Sequence, residues 1–88
     1  AGFAKGEIYI NAGAVEAMLS PKASSILMIG VTNIKGEFKK GDVIKIMNLD
    51  NICLGYGKTQ YDSEQAVELI GKKDIKPIIH YDYLYLID

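Results

Sequence analysis

"GVTNIKGEFKKGDVIKI", Gly30 to Ile46, is the stretch on which the fold turns. Gly36 and Gly41 bracket a polar segment that ends in Asp42, with apolar residues on both sides. Glycines at that spacing with charged residues between them describe a hairpin turn, with Phe38 folded inward. The run before it, Ser25 to Lys35, is richer in isoleucine, valine and methionine than a simple alternation, which predicts a strand buried on much of both faces. Val43, Ile44, Ile46 and Met47 predict the next strand, "LDN" a second turn, and Ile52 to Lys58 a return. Together they read as a meander of three antiparallel strands.

Towards the N-terminus, "IYINAGAVEAML" (Ile8 to Leu19) changes period in mid-run. Ile8 and Ile10 alternate as in a strand from about Glu7 to Ile10, while Val15, Met18 and Leu19 recur at helical spacing. Asn11 suits the N-cap, and Ser20-Pro21 predicts the stop, because a residue before proline avoids helical angles. The corner Asn11-Ala12-Gly13-Ala14 has two readings. A helix that opens beside glycine can hold an anion on free backbone N–H groups. Alternatively, Gly13 and the alanines only let helix and strand pack closely.

Towards the C-terminus, "YDSEQAVELIGKK" predicts a second helix. Asp62 is its cap, Gln65 stands at the capping-box position, and Gly71 with two lysines supplies the end. In "IIHYDYLYLID", Tyr81, Tyr83 and Tyr85 fall on one face of an extended segment and Leu84 and Leu86 on the other. Many short strands, glycine turns and two short helices predict a β-rich α+β domain curled into a small mixed barrel, whose closure would remove exposed strand edges.

Composition narrows function. Eighty-eight residues leave room for one core. The longest apolar run, Ile26 to Val31, is far short of the roughly 20 residues of a membrane helix, and no basic-then-apolar leader opens the sequence. Cys53 stands alone in an apolar context, the setting of an inert buried thiol. A soluble cytoplasmic protein without disulfides is expected. Ten lysines oppose eleven acids, net charge −1, and there is no arginine. Nucleic-acid binding draws on a cationic surface and favours arginine for forked phosphate contacts, so this balance weighs against strong RNA affinity.

The order of segments "INAGAVEAM", "ILMIGVTNIKGEFKKGDVIKI", "GYGKTQYDSEQAVELIG" and "IIHYDYLYL" resembles the PUA domain family, and within it the domain at the C-terminus of glutamate 5-kinases. The signature G-V-x-x-I-x-G-x-F-x-x-G-D, Gly30 to Asp42, is shared by PUA domains broadly, while Tyr61, Ser63 and Glu64 with Gly71 point to the kinase branch. The resemblance implies a pseudo-barrel of short, mostly antiparallel strands with two short helices. Residues 1–6 would then be a linker remnant from a preceding domain and residues 7–88 a single domain. It implies a noncatalytic fragment, with no cofactor or metal of its own. The amino-acid kinase domain of the same chain or of a neighbouring subunit would be its partner, and would use ATP and magnesium to phosphorylate L-glutamate in proline biosynthesis. RNA, through which other PUA domains act, is the alternative partner. Two departures stand out: the kinase branch usually has aspartate at Asn11 and arginine at Tyr81, and the second change removes a cation.

Candidate contact residues follow from both readings. Asn11, Gly13 and Ala14 offer a backbone surface to phosphate or ribose. Lys39 and Lys40, and Lys72, Lys73 and Lys76, are the cationic clusters, yet Glu37, Asp42 and Asp74 sit among them. Tyr81, Tyr83 and Tyr85 could stack on bases or form a protein interface, in which tyrosine is enriched. His80, the only histidine, has no nucleophile in a matching motif and reads as structural, and one histidine with one cysteine gives no zinc spacing.

Overall fold

The computed structural model describes residues 4–22 and 24–87. Strand β1 (Gly6–Ile10) leads into helix α1 (Ala12–Leu19), and a 3-10 turn at Met28–Gly30 precedes β2 (Val31–Gly36). Strands β3 (Val43–Met47) and β4 (Cys53–Lys58) follow, then helix α2 (Ser63–Leu69), a second 3-10 turn at Tyr81–Tyr83, and β5 (Leu84–Leu86). One five-stranded sheet has the order β2-β1-β3-β4-β5. Its pairs are antiparallel except β1 with β3, which run parallel.

That order corrects the expected meander. β3 and β4 do form an antiparallel hairpin, with Ile44 opposite Gly57. β2 and β3 do not pair, because β1 lies between them. The segment Glu37 to Asp42 therefore crosses over the start of β1 instead of folding back on itself. Phe38 explains why. Its ring is buried, as expected, its N–H donates to Ser63 Oγ (3.1 Å) and its C=O accepts from Ser63 N (2.9 Å). These bonds pin the loop to the start of α2, and Gly36, at φ +87°, makes the departure from β2 possible.

The core alternates with period two. Ile8 and Ile10 on β1, with Ile44 and Ile46 on β3, are fully buried and meet Ile26, Met28, Phe38, Ala66, Ile78 and Ile79 beneath the sheet. Val31 and Met18 complete the seal below β2 and α1. Burying such a side chain contributes about 1.5–3 kcal/mol.

Ser25 to Lys35 is not one doubly buried strand. Ile26, Met28 and Val31 are buried while Leu27 and Ile29 are half exposed, and only Val31–Gly36 is strand. Ile26 instead forms a single bridge with Ile79. The C-terminus differs too, since Tyr81 and Tyr83 lie on the 3-10 turn and only Tyr85 is in β5. β2 and β5 stand at opposite edges and are not bonded to each other, so the curled sheet is a pseudo-barrel with two edges, not a closed one. β1 begins at Gly6, and the first three residues of the expected linker, 1–6, lie outside the described ones. No described helix is long and apolar enough to cross a membrane.

Both helix boundaries follow their sequence signals. Asn11 caps α1, its Oδ1 accepting from Ala14 N at 2.8 Å, and Ser20 before Pro21 ends it in an extended conformation. At α2 the capping box forms, with Asp62 N donating to Gln65 Oε1 (3.1 Å), and Gly71 follows at φ +78°.

Candidate functional site

The corner after β1 opens onto a cavity of about 330 Å³ lined by Asn11, Gly13, Ala14 and Ala17 on one side. Ser24, Ser25, Leu27, Ile29 and Gly30 form the other side. Two chain segments meet here because Asn11 N donates to Gly30 O (2.9 Å), continuing the β1–β2 ladder one residue past the strand. Gly30 makes the approach possible: a Cβ there would come within 2.6 Å of Ala14 Cβ. The close packing foreseen at the corner thus belongs to Ala14 and Gly30. Gly13 takes no part in it, being exposed and having only Asn11 Oδ1, at 3.5 Å, near its missing Cβ.

Polar groups at the cavity are few. Asn11 spends its carbonyl oxygen on the helix cap, which leaves its amide NH2 to act as donor. The N–H group of Gly13, in the first turn, has no intrahelical acceptor. Ser25 Oγ accepts from Tyr81 N (3.0 Å), so the hydroxyl proton points elsewhere. Half-exposed Leu27 and Ile29 add an apolar rim. The arrangement suits a flat, largely apolar group with a hydrogen-bonding edge. It contains no pair of titratable side chains that could perform acid–base chemistry.

The predicted contact residues do not gather in one place. Asn11, Gly13 and Ala14 line the cavity, and Tyr81 adjoins it through Ser25. Lys39 and Lys40 lie at the other end of β1, beside Gly36, which pairs with Gly6. The two ends of that strand are about 13 Å apart at 3.3 Å per residue. Around the lysines the charge is mixed. Lys39 N donates to Asp42 Oδ2 and Lys40 N to Asp62 Oδ1, both at 2.8 Å, and Glu37 and Glu64 line a depression of about 300 Å³ with Lys39 and Asp42.

Tyr83 and Tyr85 belong to a different surface. The ladders align Lys35, Glu7, Lys45, Tyr56 and Tyr85 in one row across the five strands, on the side facing away from the core. Lys58 Nζ sits 5.3 Å from the Tyr83 ring and Lys35 Nζ 5.1 Å from that of Tyr9. These are cation–π contacts. His80 stacks on Tyr81, with ring centroids 4.3 Å apart, and its Nδ1 accepts from Asp82 N (3.1 Å). Cys53 is only partly buried, with Sγ 3.5 Å from Gly55 O. Among the described residues no three His, Cys, Asp or Glu side chains gather to hold a metal ion.

Ser24, Ser25, Leu27 and Ile29 were not foreseen as lining residues. The alternation Ile26, Leu27, Met28, Ile29 carried the signal, because period two in an apolar run puts every second side chain outside.

Residues 6–81 match the family model described as the PUA domain. The chain is a PUA domain. Its sequence is 52% identical over 85 residues to glutamate 5-kinase from Bacteroides thetaiotaomicron, a match that covers 97% of this chain and 24% of the relative. The PUA domain therefore spans about a quarter of that relative's length. Among solved structures, a PUA domain from Aeropyrum pernix in complex with tartrate superposes with a TM-score of 0.76 at 23% identity, covering 86% of this chain and 41% of the other. An H/ACA ribonucleoprotein bound to a substrate RNA contains a chain that superposes with a TM-score of 0.71 at 20% identity, covering 93% of this PUA domain and 24% of that chain. The two superpositions establish the fold.

Proposed function

We propose that this PUA domain is the noncatalytic C-terminal module of a glutamate 5-kinase, where it regulates or assembles the enzyme. The observation that carries this reading is the 52% identity over nearly all of the domain to a protein about four times as long as the stretch it matches. The rest of that parent chain would bind ATP, magnesium and L-glutamate and perform the phosphorylation that opens proline biosynthesis in the cytoplasm. Balanced charge and the absence of arginine support a protein partner, the kinase domain of the same chain or of a neighbouring subunit. The test compares the parent enzyme with and without residues 1–88. A changed kinetic response to glutamate or to proline inhibition is expected from the truncated form, and identical kinetics and assembly would refute the reading.

One observation favours a second reading, an RNA-binding module. The cavity beside Asn11, Gly13 and Ala14, with the free N–H of Gly13, the Asn11 amide and an apolar rim, has the shape and chemistry for a base or ribose. Labelled tRNA in an anisotropy titration at low salt separates the two, since even nonspecific binders reach about 10⁻⁴ to 10⁻⁶ M at physiological salt. No signal in the micromolar range would eliminate RNA.

A further inference from the structure

β5 is a strand with one side in use. In the β4–β5 ladder Gly55 faces Leu86, Tyr56 faces Tyr85 and Gly57 faces Leu84. Ile87 N donates to Leu54 O at 2.9 Å, which fixes the phase of the ladder. Hydrogen-bonded pairs alternate with non-bonded ones in antiparallel sheets. Leu54 with Ile87 and Tyr56 with Tyr85 are accordingly the bonded pairs, and the peptide groups of Leu84 and Leu86 point away from β4. Among the described residues no strand lies on that side.

The side chains around this edge are apolar. Leu86 is 44% exposed, Ile87 51% and Tyr85 59%, on a strand only three residues long. An uncovered edge invites another strand, and proteins guard one with charge, proline, a bulge or, as the three residues of β5 do in part, by keeping it short. Here no charged side chain lies on the strand itself.

We infer that β5 accepts a sixth strand, supplied by the remainder of the parent polypeptide, which pairs with the outward N–H and C=O of Leu86 and the outward C=O of Leu84. The inference rests on the glutamate 5-kinase reading and adds to it the surface and the mode of attachment. Two observations select this occupant, and the edge then fixes its pattern. The outward peptide groups specify a strand as the complement. The relatives carry about three-quarters of their length outside the matched stretch, and a tethered strand acts at high effective concentration, so a three-residue edge suffices. Finally, the alternation of the edge fixes the incoming pattern. Apolar residues would face Leu84 and Leu86 on the core side, and an acidic or aromatic residue would face Tyr85 and Lys58 on the outer side.

The test is amide hydrogen–deuterium exchange at Leu86, in the 88-residue chain and in the full-length parent protein, with kinase activity measured on the latter. The expected result is fast exchange in the short chain and at least a hundredfold slowing in the parent. Leu86→Pro sharpens the test, because proline is tolerated on an edge where the lost N–H faces outward. It should leave the fold of the short chain intact and, with the outward donor gone, return exchange at Tyr85 and Ile87, which a covering strand would slow behind their bonds to β4, to the rate of the short chain. Equally fast exchange in an active kinase would overturn the inference and spare the glutamate 5-kinase reading. Slow exchange in a parent without kinase activity would do the reverse. Protection that grows with concentration of the short chain, or that appears only with added RNA, would assign the edge to a second copy or to nucleic acid and so overturn it as well.

Discussion

The sheet ends in two edges built on opposite plans. β2 is six residues long and carries Thr32, Asn33 and Lys35 exposed along it. Asn33 Oδ1 accepts from Ile34 N (2.9 Å), so that edge donor is satisfied by its own neighbour, and Lys35 places a charge at the edge while its Nζ lies over Tyr9. β5 is half as long, which is its one protection, and presents Tyr85 and Leu86, with Ile87 just after it, without a charge or a self-bonded side chain. A lysine and a self-bonded asparagine make an edge costly to pair, because an incoming strand must desolvate the charge and displace the side chain. The contrast teaches that the two edges are not equivalent surfaces. One is closed to other strands, and the other is held in position to receive one.

Gly55 keeps β5 in that position. A Cβ at Gly55 would collide with Tyr85 O and stand 3.0 Å from Leu86 Cα, both backbone atoms of the edge strand, which have no rotamer by which to yield. Gly55→Ala should lift β5 from the sheet and destabilise the domain by about 1–3 kcal/mol, the range for overpacking. Urea denaturation measures it, and exchange at Tyr85 should accelerate at the same time. An alanine that is tolerated within 0.5 kcal/mol would show that β5 is a loosely laid segment, and the contrast between the edges would lose its basis.

What the sequence made legible follows the range of the interaction. The caps at Asn11 and Asp62 and the stops at Ser20 and Gly71 are local, set by residues within a few positions of each other, and the structure contains all of them. The order of strands is not local. Nothing in Gly36 to Asp42 announces that Phe38 is tied to Ser63, 25 residues on, or that β1 lies between the two strands the segment joins. The cavity shows the same division. Asn11, Gly13 and Ala14 were found as a turn before a helix, whereas Ser25 and Leu27 enter it only because Ile26 bridges to Ile79, across 53 positions of the chain. The row Lys35, Glu7, Lys45, Tyr56 and Tyr85 was invisible for that reason too, since each member comes from a different strand.

A smaller effect separates the two sides by pH. The segment leading to β5 is stitched to the turn after β4 by Tyr61 Oη donating to Lys76 O (2.8 Å) and Gln60 N donating to Ile78 O (2.7 Å). Desolvation raises the Tyr61 phenol above its usual value of 10.0. A group whose folded pKa is raised contributes stability that is fully present below the unfolded value and lost as pH rises through the folded one. The domain should therefore hold constant stability up to about pH 10 from this group and weaken above it, with exchange opening first at Lys76 to Ile79. Tyr61→Phe should cost about 0.5–1.5 kcal/mol at neutral pH for the lost hydrogen bond and flatten the alkaline limb. Loss of protection at β2 ahead of Lys76 would contradict the assignment.

The smallest change in energy falls on the guarded edge, and it tests the comparison most directly. Asn33→Ala with Lys35→Val replaces two exposed side chains, so the stability of the short chain should stay within about 0.5 kcal/mol of the original, as for surface substitutions generally. Its behaviour in company should change far more. Ile34 N would lose its Asn33 acceptor and become free to pair, and the charge on β2 would be gone. Sedimentation should then show concentration-dependent association through β2 that the unmodified chain lacks. If the double variant sediments as the unmodified chain does up to millimolar concentration, Asn33 and Lys35 are not what closes that edge, and the short, apolar β5 would have to be explained without reference to it.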